Sequence, residues 1–138
     1  MTWLRSGIRL HRRGGWHGLL VALWCVRCCR RVRRQIPRGG IDRIRLPAPP
    51  PSAAGDRQIA GGVLRRMRAT CLEGSLVLQR WHAGQQRSRT LVIGVTAPSA
   101  GFHAHAWLEG DADAVPEMVV ILRRPPQPRW LTGAGQER

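Results

Sequence analysis

Three stretches of the chain carry apolar residues at helical spacing, and three later ones carry them at strand spacing. In the first, Leu19, Leu20, Leu23, Trp24 and Val26 recur every three or four residues with no proline before Pro37, which predicts a helix over Trp16–Gln35 that Gly39-Gly40 ends. A second pattern starts at Asp56, a residue type suited to capping a helix, with Ile59, Val63, Leu64 and Met67 as its stripe and Gly61-Gly62 weakening it. The third starts at Thr70. Thr70 and Glu73 form a T-x-x-E capping box, and Leu72, Leu76, Leu78 and Trp81 follow, so Cys71 becomes the first residue of a helix that Gly84 and Gln85-Gln86 close. Beyond it, Thr90–Val95 (TLVIGV), Phe102–Glu109 (FHAHAWLE) and Met118–Leu122 (MVVIL) read as strands. Helices followed by strands predict an α+β fold, with N-terminal helices, a small antiparallel sheet, and the helix that Cys71 opens packed on one sheet face.

Punctuation divides the chain further. Leu46–Gly55 (LPAPPPSAAG) has the composition of a stiff proline-rich connector that holds neither a helix nor a central strand. The expected organisation is a basic helical region over 1–45, a linker over 46–55, an α+β domain over 56–124 and a flexible tail over 125–138, with no internal repeat. A length of 138 residues predicts one domain with an appended segment rather than a two-domain enzyme.

Charge sharpens this division. All 23 basic residues are arginine, against 8 acids, for a net charge of +15. Residues 1–45 hold twelve arginines and one acid, Asp42, whereas five acids fall between Glu73 and Glu117. Arginine with no lysine matches a coding bias toward high GC content. A basic helix suits an acidic peptide, a partner protein, phosphates or an anionic membrane surface equally well, and no nucleic-acid fold motif accompanies this one. The longest apolar stretch, Gly18–Val26, is far short of the roughly 20 residues that span a bilayer, so no transmembrane segment is expected. Arginines before that stretch imitate a signal peptide, but cysteines and further arginines stand where a small-residue cleavage site belongs, and the expected location is cytoplasmic.

Candidate chemistry gathers around Cys71. A thiol at a helix N-terminus meets the positive end of the helix dipole and unpaired backbone N–H groups, which favour the nucleophilic thiolate. Strand alternation places His103, His105, Trp107 and Glu109 on one face, and Phe102, Ala104, Ala106 and Leu108 on the other. If the last two strands form a hairpin turning at Asp111–Asp113, position 105 lies opposite 118 or 119, close to Glu117. Cysteine, histidine and acid then converge: the imidazole takes the thiol proton and returns it to the leaving amine, and the acid orients the ring. Each residue also has a plainer role, since free cysteines are commonly buried structural thiols and Asp111 and Asp113 suit an ordinary turn. Cys25, Cys28 and Cys29 (CVRCC) supply a C-x-x-C pair with His11 or His17 nearby, but no second pair. They read as structural, with no metal and no disulfide expected, although Arg27, Arg30 and Arg31 would favour their thiolates.

Taken in order, A-T-C-L-E-G-S-L-V-L-Q-R (Ala69–Arg80), L-V-I-G-V (Leu91–Val95) and A-H-A-W-L-E (Ala104–Glu109) resemble the transglutaminase-like, papain-like cysteine peptidases of lasso-peptide biosynthesis, over roughly residues 57–122. The resemblance implies a cofactor-free, ATP-independent endopeptidase that removes the leader from a ribosomally made precursor, with Cys71 as nucleophile and His105 as general base. The family's third member is an aspartate twelve residues after the histidine, and Glu117 stands there, with Asp111 and Asp113 as alternatives. The implied partners are the precursor peptide, a separate leader-binding protein and an ATP-dependent macrolactam synthetase; no nucleic acid is expected. The alternatives are a catalytically inactive relative or a basic protein that binds nucleic acid or peptide.

Overall fold

The computed structural model describes residues 3–97, 99, 101–111 and 118–131, with backbone alone at 3–14 and 131. It falls into two compact units, Met1–Ala69 and Thr70–Arg138.

The first unit holds helices α1 (Trp3–Gly39) and α2 (Asp56–Arg66), with a short 3-10 turn at Ile41–Arg43. Gly15 breaks α1 with a positive φ of 48°, so a second helical segment starts at Trp16, where the pattern predicts it. The face it buries differs from the expected one. Val21, Trp24, Cys25, Cys28, Cys29 and Val32 are buried, whereas Leu19, Leu20 and Leu23 are exposed. Positions 21, 25, 28 and 32 form a regular helical stripe once cysteine counts as a small apolar residue. The complementary stripe on α2 is Ile59, Ala60, Val63 and Leu64, all buried.

The segment between these helices is tied down at its start. Gln35 Oε1 accepts the Arg45 N–H at 2.9 Å, Trp24 Nε1 donates to the Pro47 carbonyl at 3.1 Å, and Ile44 and Leu46 are buried. Asp56 does not cap α2. Gly55 holds the cap position with φ 89°, and Asp56, the first helical residue, turns its buried carboxylate to the Ala53 N–H at 2.8 Å and to His17 Nε2 at 2.9 Å. A carboxylate at 2 % exposure needs such partners more than an exposed helix end needs a side-chain cap.

The second unit holds α3 (Cys71–Gly84), strands β1 (Leu91–Val95), β2 (Ala104–Leu108) and β3 (Val119–Arg124), and the short helix α4 (Pro128–Leu131). The capping box forms as the sequence predicts: Thr70 Oγ1 accepts the Glu73 N–H, and Glu73 Oε2 accepts the Thr70 N–H. From Ser75 to Ala83 nearly every α3 residue is buried, Leu78 being half-buried, so this helix is the unit's centre. Gln79 fastens it to the sheet. Its amide donates to the carbonyls of Arg89 and Arg124, both at 2.9 Å, and accepts from Arg124 Nη1 at 2.8 Å. The Arg124 guanidinium and that of Arg80 also lie over the Trp130 ring of α4, 5.4 and 5.3 Å from its centroid. The start of the tail expected to be loose is thus docked, with Trp130 buried; residues 132–138 lie outside the described residues.

The sheet is antiparallel, as expected, but its order is β2-β1-β3. The expected hairpin between β2 and β3 is therefore corrected: both strands pair with β1, and being antiparallel to it they run parallel to each other. The apolar β1, with Leu91 and Val92 fully buried, takes the centre because only there are both strand edges bonded. Parallel strands require a crossover rather than a tight turn. The chain leaves β2 beside Leu91 and enters β3 beside Val95, at the opposite end of the sheet. The α+β class stands, with helices preceding a small antiparallel sheet. Among the described residues no helix is long and apolar enough to cross a membrane.

Candidate functional site

Cys71 is the first residue of α3 and is exposed. The capping box uses the Glu73 N–H, and helix geometry gives the amides of Cys71 and Leu72 no intrahelical partner, so both are available to a ligand at the helix start. One turn further along, the Ser75 hydroxyl donates to the carbonyl of Ala106 at 3.2 Å. Ser75 was missed in the sequence as a functional residue, although its spacing from Cys71 puts both on one helix face. Its bond ties the Cys71 end of α3 to the section of β2 that carries His105.

Around His105 the strand register settles the faces. His105 pairs with Gly94 and Trp107 with Val92, so these four share one face, while Ala104, Ala106 and Leu108 share the other with Val95, Ile93 and Leu91. The alternation read from A-H-A-W-L is the observed one. Arg124, the Gln79 partner, pairs with Leu91, so α3 covers the Leu91 and Leu108 face and the His105 imidazole projects from the other. Among the described residues no hydrogen bond joins the thiol of Cys71 to this imidazole. The structure therefore does not bring Cys71 and His105 together as a hydrogen-bonded pair.

Gly94 explains how His105 is held. A side chain at position 94 would begin 2.9 Å from Trp107 Cη2 and 3.0 Å from Met118 Cβ, so the indole lies directly on the β1 backbone. The imidazole stacks beside that indole, with ring centroids 5.9 Å apart and planes 17° apart. A bulge in the β1–β3 pairing falls at the same place: Ile93 faces Leu122 and Gly94 faces Val120, which leaves Ile121 as the extra residue. The sequence displays this glycine in V-I-G-V, but without the register its purpose cannot be read.

Of the other candidates, Glu117 and Asp113 lie outside the described residues. Asp111 donates its backbone N–H to the Leu108 carbonyl and closes the turn after β2, as a turn aspartate does. His103 is exposed and closes the β1–β2 connection through its backbone, exchanging bonds with Thr96. Glu109 is ion-paired with Arg123. Cys25, Cys28 and Cys29 are fully buried, while the exposed Arg27, Arg30 and Arg31 keep to other faces of α1. Burial, with the Cys29 thiol and the Asp56 carboxylate nearby, pushes the Cys25 thiol up to about 12. The expected stabilisation of thiolates by arginine is thereby corrected for Cys25. Among the described residues no three His, Cys, Asp or Glu side chains are grouped to hold a metal ion.

An exposed thiol opening a buried helix, followed by a strand bearing histidine and tryptophan, is the setting in which the comparison with known families decides. The sequence profile of the transglutaminase-like superfamily matches residues 19–123. The chain belongs to the transglutaminase-like superfamily. The match spans the second segment of α1 as well as α3 and the sheet, so this transglutaminase-like chain draws on both compact units for its family signature. The superfamily includes cysteine peptidases, which agrees with a thiol at the start of α3. No curated protein and no solved structure matches the chain.

Proposed function

We propose that this transglutaminase-like protein is a cysteine endopeptidase that removes the leader from a ribosomally made lasso-peptide precursor. The observation that carries the reading is the exposed Cys71 thiol at the start of α3 in a chain that matches the transglutaminase-like superfamily over residues 19–123. His105 takes the Cys71 proton, and the thiolate attacks the scissile carbonyl carbon to form a tetrahedral oxyanion. The backbone N–H of Cys71 faces that oxyanion as a helix-start donor. Collapse expels the amine of the core peptide, which receives the proton from the imidazolium, and leaves the leader as a thioester on Cys71. Water, deprotonated by His105, then hydrolyses the thioester. No cofactor enters these steps.

Glu117 is the proposed orienting acid. Glu117 stands twelve residues after His105, the spacing at which the peptidases this chain resembles carry their acid. The proposed partners are the precursor, a leader-binding protein that presents it, and an ATP-dependent synthetase that closes the released core into a macrolactam.

The test is mass spectrometry of the precursor incubated with the protein and its leader-binding partner. Cleavage at one bond, absent with Cys71→Ala and with His105→Ala, is the expected result. A precursor cut equally fast by Cys71→Ala removes the nucleophile assignment, and one left intact by the parent protein identifies an inactive relative.

A further inference from the structure

The second segment of α1 has an exposed face that its own unit does not use. Trp16, Leu19, Leu20 and Leu23 form its first two turns, with Trp16 77 % and Leu23 65 % exposed. Arg27, Arg30, Arg31 and Arg34 continue it, all exposed and, among the described residues, without an ion pair. At about 100° per residue these eight positions fall within an arc of about 120°, opposite the buried cysteine stripe. A shallow depression lined by Arg30, Arg33 and Arg34 lies on the basic half. The face is thus one continuous strip, about 10 Å of apolar surface followed by about 10 Å of guanidinium groups.

We propose that this strip docks a linear polypeptide segment of a partner that carries apolar anchors in one half and an acidic tract in the other. Apolar patches of this kind on a soluble surface mark binding sites, and unpaired arginines beside one select carboxylates. The lengthwise division excludes other occupants. A helix lying on a membrane needs apolar residues along its whole length, and here they stop after two turns. Nucleic acid would answer the arginines and leave the apolar half in water. A second copy of the chain would set arginines against arginines if parallel, and arginines against leucines if antiparallel. Only a partner with the same lengthwise division and the opposite charge fits both halves.

The experiment uses the full chain and fluorescein-labelled 24-residue peptides. One carries leucine and tryptophan anchors in one half and glutamates in the other; a control of identical composition has the glutamates interspersed. A single-stranded RNA of 24 nucleotides and vesicles containing anionic lipid complete the set. The divided peptide should bind at least tenfold more tightly than the interspersed one. Leu20→Glu/Leu23→Glu and Arg27→Glu/Arg34→Glu should each weaken it at least tenfold, with the helical circular dichroism signal unchanged. Added salt should weaken binding to the parent and have a much smaller effect on the arginine variant. Equal binding of the two peptides, indifference to either substitution pair, or tighter binding of RNA or vesicles through the same residues overturns the proposal. The assay is an equilibrium binding measurement that does not involve cleavage, so failure of the peptidase reading would leave it standing.

Discussion

The Trp107 indole stacks on the His105 imidazole, and its outer edge occupies the space that a side chain at position 94 would need. A Gly94→Ala methyl must displace either that ring or Met118, so the variant should lose about 1–3 kcal/mol of stability. Tilting the imidazole should also lower kcat for precursor cleavage by about tenfold or more, with KM little changed, because reacting groups tolerate little misplacement. Steady-state kinetics alongside thermal melts check this. A variant that melts early but turns over normally would separate Gly94 from the chemistry.

Thr70→Ala removes the side chain that accepts the Glu73 N–H and leaves the α3 start uncapped. The expected cost is about 1 kcal/mol, and Thr70→Ser should restore most of it. Urea denaturation of the three proteins measures both.

Iodoacetamide should distinguish the four cysteines. Cys71 is exposed, while the other three are buried on α1, so one label is expected on the native protein and four after unfolding. Peptide mapping of the first adduct should return Cys71.

Gln79 makes two bonds to Arg124 of β3, one of them from its guanidinium, and a third to the Arg89 carbonyl just before β1. Gln79→Leu keeps the volume but strips partners from a buried arginine and from two carbonyls, and it should cost about 3 kcal/mol. A change under 1 kcal/mol in urea denaturation would show that other groups or water replace the amide.

The sequence revealed much of this fold because several of its signals are local. The capping box of Thr70 and Glu73, the three strands and the helix start at Trp16 depend on neighbours within a few positions, and each forms where expected. The buried face of α1 differs from the expected one because Cys25, Cys28 and Cys29, although read as structural, are not counted among the apolar positions that set the predicted helix stripe. Strand order is a long-range property. Nothing near Phe102–Glu109 or Met118–Leu122 shows that both would choose β1 over each other. The site was legible in part: Cys71 and the faces of β2 follow from spacing, whereas the roles of Ser75 and Gly94 require knowing which strand lies beside which.

Alkaline stability provides a separate test of the cysteine core. The Cys25 thiol sits near 12 in the folded chain against 9.0 unfolded. Below pH 9 it is neutral in both states and its stabilising effect is full. Between about 9 and 12 the unfolded chain releases the proton while the folded chain keeps it, so stability should fall by roughly 1.4 kcal/mol per pH unit. Denaturation midpoints from pH 8 to 11 should show this slope, and Cys25→Ala should be flatter.

The crossover from β2 to β3 also has a consequence for the order of assembly. Leu91 meets Leu108 across a short loop, but its other neighbour, Arg124, comes 33 residues later in the chain. A nascent polypeptide can therefore pair the glycine strand with the histidine strand early, whereas the opposite edge of β1 waits for the last strand to be synthesised. A chain stopped before Val119 would carry both the thiol and the imidazole and still leave its most apolar strand open along one side. Such a product is a template for edge-to-edge aggregation. Premature termination should thus yield insoluble protein rather than a weakly active fragment.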